Sequence, residues 1–410
     1  MSTDARPPMT AALGNPEFRA LWAAEAQSIA GDQLTRVTLA ILVYSRTNSA
    51  LWAAGVYALT YLPALAGGLG LAQLADRLPR RTLLTTCAAT QAGLVGVMAI
   101  PGMPLAALCV LVVLVALVGA PVNAAQNSLT RDVFTDDDVY LRSQDLRGIT
   151  GNVVMLLGLA CGGILVTLFG TSVALAVDAV TFAISAAVIR GWVRWRPPAG
   201  ERDAAWFGAA RWVFSRRELR TLLALSWLVG LAVVPEGLAA PLADEIGASD
   251  SAVGWLLAAD PLGFIAGTFL LSRYVSAEHR RRVMGILAVA SAAILVAFVA
   301  QPSLPVALAL LALAGATGAY IVTVGATLIT WVPNELRGGA SGVYRTGLRC
   351  AQGVGIALGG VLAEWLGSAS TAIALAGIAG VALGIPVAWS WARLHHAREV
   401  LTGSATAGGT

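Results

Sequence analysis

Lysine is absent from this chain of 410 residues, so all 27 of its basic side chains are arginines. That absence fits a coding bias and excludes little by itself. The scarcity of charge excludes more. Charged residues make up 12% of the chain and hydrophobic ones 57%, whereas ordinary globular domains carry about 25% charged residues. With a mean hydropathy of +0.74, such a chain cannot cover a water-facing surface, and lipid must be its main solvent. Cysteine is scarce too. Cys87, Cys109, Cys161 and Cys350 each fall inside an apolar run and form no CxxC pair, which argues against a disulfide framework or a structural zinc.

Other absences narrow the function. The pI near 9.1 does not point to nucleic acid, because the arginines stand at the ends of apolar runs and not on one soluble face. No P-loop, no Ser-His-Asp grouping and no metal-ligand spacing occurs, and His279, His395 and His396 make no metal set. Neither an enzyme nor a cofactor is expected, and a gradient must supply any energy. The N-terminus lacks the order of a cleavable signal, so residues 1 to 14 are expected to form a short cytosolic tail. The polar run Thr402–Thr410 is expected to be disordered.

What the chain has is apolar length. Runs of about 20 residues suffice to cross a bilayer, and twelve occur: 18–44, 50–74, 81–101, 103–128, 145–169, 171–193, 220–242, 251–273, 282–300, 304–330, 342–366 and 369–392. Glycine, 44 in all, is frequent inside them, as expected where helices approach closely in lipid. The arginine clusters, including Arg77, Arg80 and Arg81, fall in alternate connections, while only Arg46 stands in a loop on the other side. Both termini are therefore expected in the cytosol of a cell carrying the protein in its inner membrane. The longest connection, 194–219, interleaves Trp206, Phe207, Trp212 and Phe214 with Arg211, Arg216 and Arg217. It reads as an amphipathic helix at the inner membrane surface.

The chain also repeats itself. "GGILVTLFG" at 162–170 matches "GGVLAEWLG" at 359–367, an offset of 197, and Arg80-Arg81 matches Arg281-Arg282, an offset of 201. This implies two related six-helix units, residues 1–193 and 220–410, joined by 194–219.

Between the second and third runs stands Ala72-Gln-Leu-Ala-Asp76-Arg77-Leu-Pro79-Arg80-Arg81. This resembles the G-x-L-A-D-R-x-G-R-R loop of the major facilitator superfamily, with Ala72 and Pro79 in place of two glycines. The resemblance implies an all-α integral membrane fold of two pseudo-symmetric six-helix bundles, a central cavity and alternating access. It also implies that Asp76, Arg77, Arg80 and Arg81 act in gating; the alternative is that these arginines only set topology. Gly158-Leu-Ala-Cys-Gly162-Gly163 in the fifth run is similar to part of the family's antiporter motif, but Leu159 replaces its proline. A small-residue packing face remains, repeated at Gly355-Ile-Ala-Leu-Gly359-Gly360. The arginine that many proton-coupled members carry in helix four is missing. That stretch offers Asn123, Gln126 and Asn127 instead, which either line a cavity or bond neighbouring helices.

The sharpest chemical signal lies in the first run. Glu25, Asp32 and Arg36 fall on one face, since position 32 lies about 20° from 25 and position 36 about 40° from 32. Ionisable residues at this depth mark function by default. A glycine then an acid, Gly31-Asp32, resembles the macrolide, multidrug and siderophore exporter branch of the superfamily. Asp32 is a candidate for exchanging protons against substrate, with Arg36 its i,i+4 partner; the alternative is a structural ion pair. Glu25, nearer the cytosol, is a weaker candidate or snorkels. Glu236 after Pro235 and Asp260 before Pro261 are further coupling candidates. Asp178 is explained equally well by packing. Arg147 and Arg345 read as inner-gate residues, and Tyr57, Trp227, Trp255 and Tyr320 as aromatic cavity walls or interfacial anchors.

The expectation is a monomeric secondary transporter exporting a small amphipathic compound by proton antiport. An uptake symporter, an uncoupled facilitator and a non-transporting membrane sensor stand as alternatives.

Overall fold

The structure is a computed structural model and describes residues 9–61, 77–134, 136–198 and 206–407. It is all-helical in these residues, and its helices form the twelve spans of an integral membrane fold. Eight are long and apolar enough to cross a bilayer on composition alone: span four, Leu105–Val133; five, Asp137–Phe169; six, Thr171–Trp192; seven, Arg217–Gly237; eight, Asp250–Tyr274; nine, Ala277–Ala300; ten, Leu304–Trp331; and twelve, from Ala369. Span one (Pro16–Thr47), span three (Arg80–Met98) and span eleven (Arg337–Leu366) are more polar, and span two opens with Ala50–Leu59.

Local chemistry sets the ends. Asn15 caps span one, its Oδ1 accepting from the N–H groups of Glu17 (2.9 Å) and Phe18 (3.3 Å), with Pro16 at the first helical position, where its missing N–H costs nothing. Asp136 caps span five by accepting from the N–H groups of Asp138 and Val139. That cap, with Asp137 and Asp138 in the first turn, starts the helix eight residues before the apolar run at 145. Span seven breaks into short turns, with Leu228, Val233 and Leu238 at the joints; Pro235, which cannot donate to the helix ladder, accounts for the joint at Val233. One expectation about the termini changes. Span twelve continues as helix to Ala407, where disorder from Thr402 is expected from the sequence. Ala12, in the N-terminal 3-10 turn Met9–Gly14, is buried with Phe18 and Phe134, whose rings meet edge-on at 5.2 Å.

The described residues divide into two compact units. The first gathers the chain up to Arg46, Leu59–Asp203 and Val253–Trp255; the second gathers Thr47–Ala58, Ala204–Ala252 and Leu256 onward. The main division falls inside the 194–219 connection. In the second unit the linker helix Trp206–Ser215 is anchored, with Ala209 and Val213 fully buried and Val213 joining an apolar core that includes Leu222, Tyr320 and Trp391. Phe214 stays exposed and Arg216 stacks on Trp212, 4.4 Å from the ring centre.

Within each unit, glycine lets backbones touch. A Cβ at Gly158 would stand 2.9 Å from the Ala30 carbonyl oxygen, and one at Gly162 3.1 Å from Val37, so span five lies directly on span one. In the second unit a Cβ at Gly355 would collide with the Gly230 carbonyl, so span eleven lies on span seven in the same way. Lipid is as apolar as leucine and gives helices no hydrophobic reason to associate. Close contact of this kind replaces it.

Candidate functional site

Span one carries three acids, Glu17, Glu25 and Asp32, and each has a different fate. Glu17, just ahead of the apolar stretch, takes a forked pair from Arg196 at 2.5 and 2.9 Å and the N–H of Arg194 at 2.9 Å. Burial alone would raise its pKa, but these hydrogen bonds and the two arginine charges outweigh it and hold the carboxyl below the usual range.

Glu25 is the second. Arg147 of span five reaches it through Nε at 2.5 Å and Nη2 at 2.7 Å. The remaining edge, Nη1, donates to Asn127 (2.9 Å), Thr130 (3.3 Å) and Gln144 (2.7 Å). A guanidinium has five N–H donors, and five acceptors surround this one. Glu25 neither snorkels nor stands free for coupling: it and the buried Arg147 neutralise each other at the crossing of spans one, four and five. Arg147, expected at an inner gate, is bonded to Glu25, Asn127, Thr130 and Gln144, all in the first unit.

Asp32 is the third, and it is half-buried. Two charged groups bear on it: Asp178 from span six and Arg36 from its own helix. Arg36 lies over the Tyr61 ring, 5.6 Å from its centre. Asp178 is completely buried. Its carboxylate fills the space where Gly31 has no Cβ, and it accepts the Thr35 hydroxyl at 2.5 Å and the Thr181 hydroxyl at 3.0 Å. Gly31 is thus a seat for span six.

In the second unit, Tyr57 donates to Glu236 at 3.2 Å, and Glu236 bears electrostatically on Asp260. Two residues marked on sequence, Tyr57 and Glu236, therefore meet, and Asp260 lies within electrostatic reach of the second. Trp227 and Trp255 are each 42% exposed, and the Trp227 indole nitrogen sits against Gly347. Asn123 and Asn127 share the exposed face of span four, whereas Gln126 is buried. Tyr320 is no cavity wall: it is 2% exposed inside an apolar core, and its hydroxyl donates to the Leu225 carbonyl at 2.9 Å.

Of the gating residues, Asp76 lies outside the described residues. Arg77 is exposed, Arg80 pairs with Asp132 at the end of span four, and Arg81 donates to the Arg190 carbonyl. Arg345 is exposed on span eleven. Sequence reading passed over Asp132, Arg196, Thr35 and Thr181. The signals available for the last two were polar stripes at helical spacing, Gln27, Gly31 and Thr35 on span one and Asp178, Thr181 and Ser185 on span six.

Comparison with known proteins bears on the whole chain. A family model described as Major Facilitator Superfamily matches residues 21–235 and 237–407. No curated protein sequence matches. Among solved structures, a bacterial homolog of the human lysosomal transporter Spinster shares the fold with a TM-score of 0.73 and 15% identity, over 93% of this chain and 97% of that one. The nucleoside transporter NupG gives 0.72 and 14%, over 91% and 98%. A POT family transporter in complex with 5-aminolevulinic acid gives 0.71 and 11%, over 92% and 98%. Identities this low speak for the fold alone.

Proposed function

The chain belongs to the Major Facilitator Superfamily, a transporter by family, and from that premise we propose that it exports a small amphipathic compound, such as an antibiotic or other secondary metabolite, by proton antiport. Two six-helix bundles, 1–193 and 220–410, joined by 194–219, alternate access to a substrate site. The protein works as a monomer in the inner membrane with both termini in the cytosol, as its arginine distribution supports.

One observation carries the coupling assignment. Of the three acids in span one, Glu17 and Glu25 are each hydrogen-bonded to an arginine of another segment, whereas Asp32 stands between Arg36 of its own helix and the Asp178 carboxyl seated at Gly31. Two like charges at membrane depth cannot both stay ionised cheaply, so this is the place in span one where a proton has reason to bind and leave. Glu236 and Asp260 form a second carboxylate pair suited to the same chemistry. Asn123, Asn127, Trp227 and Trp255 offer the amide and aromatic surface an amphipathic compound needs.

The test starts with purified protein and a thermal-shift screen of amphipathic antibiotics, followed by flux of the stabilising compounds in everted vesicles under an imposed pH gradient. Export driven by the gradient, reduced to background in Asp32→Asn with folding intact, is the expected result. Flux that ignores the gradient and uncouplers argues for a facilitator, and accumulation in the opposite sense argues for a symporter. Normal pH-dependent flux in D32N removes Asp32 from the mechanism.

A further inference from the structure

Spans one and six are joined along one face by a polar seam. Ser185 donates to the Ala24 carbonyl at 2.9 Å, and Gln27 donates to the Thr181 carbonyl at 2.7 Å. One turn on, Asp178 occupies the notch at Gly31; a turn further, Thr35 donates to it at 2.5 Å. The seam follows the i, i+3, i+4 rhythm of a helix face. Only one member is ionisable. Asp178 has no exposed surface; Thr35 donates to one of its carboxylate oxygens, the Thr181 hydroxyl lies 3.0 Å from the other and 2.8 Å from the Asp178 main-chain carbonyl, and Asp178 forms no ion pair among the described residues.

A hydrogen-bonded seam does not need a carboxylate, since a serine or asparagine would serve between hydroxyls and carbonyls. Burying a charge without a counter-ion is costly, and this one sits next to residue 32. We propose that Asp178, clamped in the Gly31 notch next to Asp32, is the second carboxyl of a proton-sharing pair: the two acids cannot both stay ionised cheaply, and Asp178 sets the pH at which Asp32 releases its proton. This rests on the proton-coupled reading above. Arg36 opposes Asp178 from span one itself. Span five meets this stretch through the uncharged Gly158 and Gly162, and Tyr61 lies against Arg36. The next charged pair along the helix, Glu25 with Arg147, is internally neutralised.

The proton itself is the probe, so no substrate is needed. Full-length protein in proteoliposomes is titrated from acid to alkaline pH while infrared difference spectra record the carbonyl band of protonated carboxyl groups. The component missing from Asp32→Asn belongs to Asp32. In Asp178→Asn, which keeps the shape and can still accept from Thr35, the midpoint of that component should move toward acid by about one pH unit or more, as expected when a like charge is removed nearby. Ser185→Ala breaks the same seam without touching charge and should leave the midpoint in place. If D178N does not assemble, Asp178→Ser removes the same charge with a smaller hydroxyl. An unmoved midpoint in the charge-removing variant, with the component still lost in D32N, overturns the role of Asp178 and leaves it a packing group. Loss of no titrating component in D32N overturns instead the proton-coupled reading on which the inference rests.

Discussion

The two units repeat one architecture, and at matched positions their interior chemistry differs. At the repeat offset of 201, Glu25, Gly31 and Asp32 correspond to Ser226, Ala232 and Val233; at the offset of 197, Asn123, Arg147 and Asp178 correspond to Tyr320, Tyr344 and Leu375. In the first unit these positions hold an arginine with five side-chain contacts and a carboxylate seated in a glycine notch. In the second, Tyr320 and Tyr344 donate to the main-chain carbonyls of Leu225 and Ile321 at 2.9 and 3.1 Å, and Ser226 turns back onto its own helix. A tyrosine bonded to a carbonyl is a finished structural contact. A buried ion pair and a buried carboxyl are costly to keep in lipid, and at these matched positions only the first unit carries them.

The largest break in this comparison comes from the matched pair Arg147 and Tyr344. Arg147→Met leaves Glu25 buried without a partner and should cost about 3–5 kcal/mol, whereas Tyr344→Phe forfeits one neutral hydrogen bond worth about 1 kcal/mol. Unfolding of both variants in the same detergent measures the difference; equal costs would show that Arg147 is not the hub its contacts describe. Next in size is Gly31→Ala, whose methyl group collides with Asp178 and Thr181 and should cost about 1–3 kcal/mol by overpacking. The reverse change at the matching position, Ala232→Gly, opens no clash and should cost about 1 kcal/mol or less. Smallest is the Glu17 contribution. Its folded-state pKa lies below the unfolded value, so the stability it adds is complete above the unfolded value and is lost as pH falls through the folded one. Glu17→Gln should lower the melting temperature at neutral pH, by about 1 kcal/mol of stability because Glu17 is buried while Arg196 stays 26% exposed, and that difference should vanish in acid.

Much of the fold was legible in the sequence because lipid imposes a crude rule. A backbone crossing it must be helical and about 20 apolar residues long, so the twelve runs, the repeat and the small-residue faces at Gly158 and Gly355 could all be read in one dimension. The candidate site was legible only in part. The stripe of Glu25, Asp32 and Arg36 follows from helical periodicity, but Glu25 finds Arg147 at a separation of 122 residues, and no local pattern announces that. Tyr320 misleads for a related reason: whether its hydroxyl ends in a cavity or on the Leu225 carbonyl depends on the rotation of one helix against another.

By itself, then, the sequence determined that this chain lives in a membrane, crosses it twelve times and carries ionisable groups at depth in span one, because each of these follows from composition and period along a single helix. Tertiary structure alone decided which of those groups are satisfied. Neutralising Glu25, seating Asp178 at Gly31 and burying Tyr320 depend on side chains from distant spans meeting within hydrogen-bond reach, and helix packing sets that reach where sequence spacing does not.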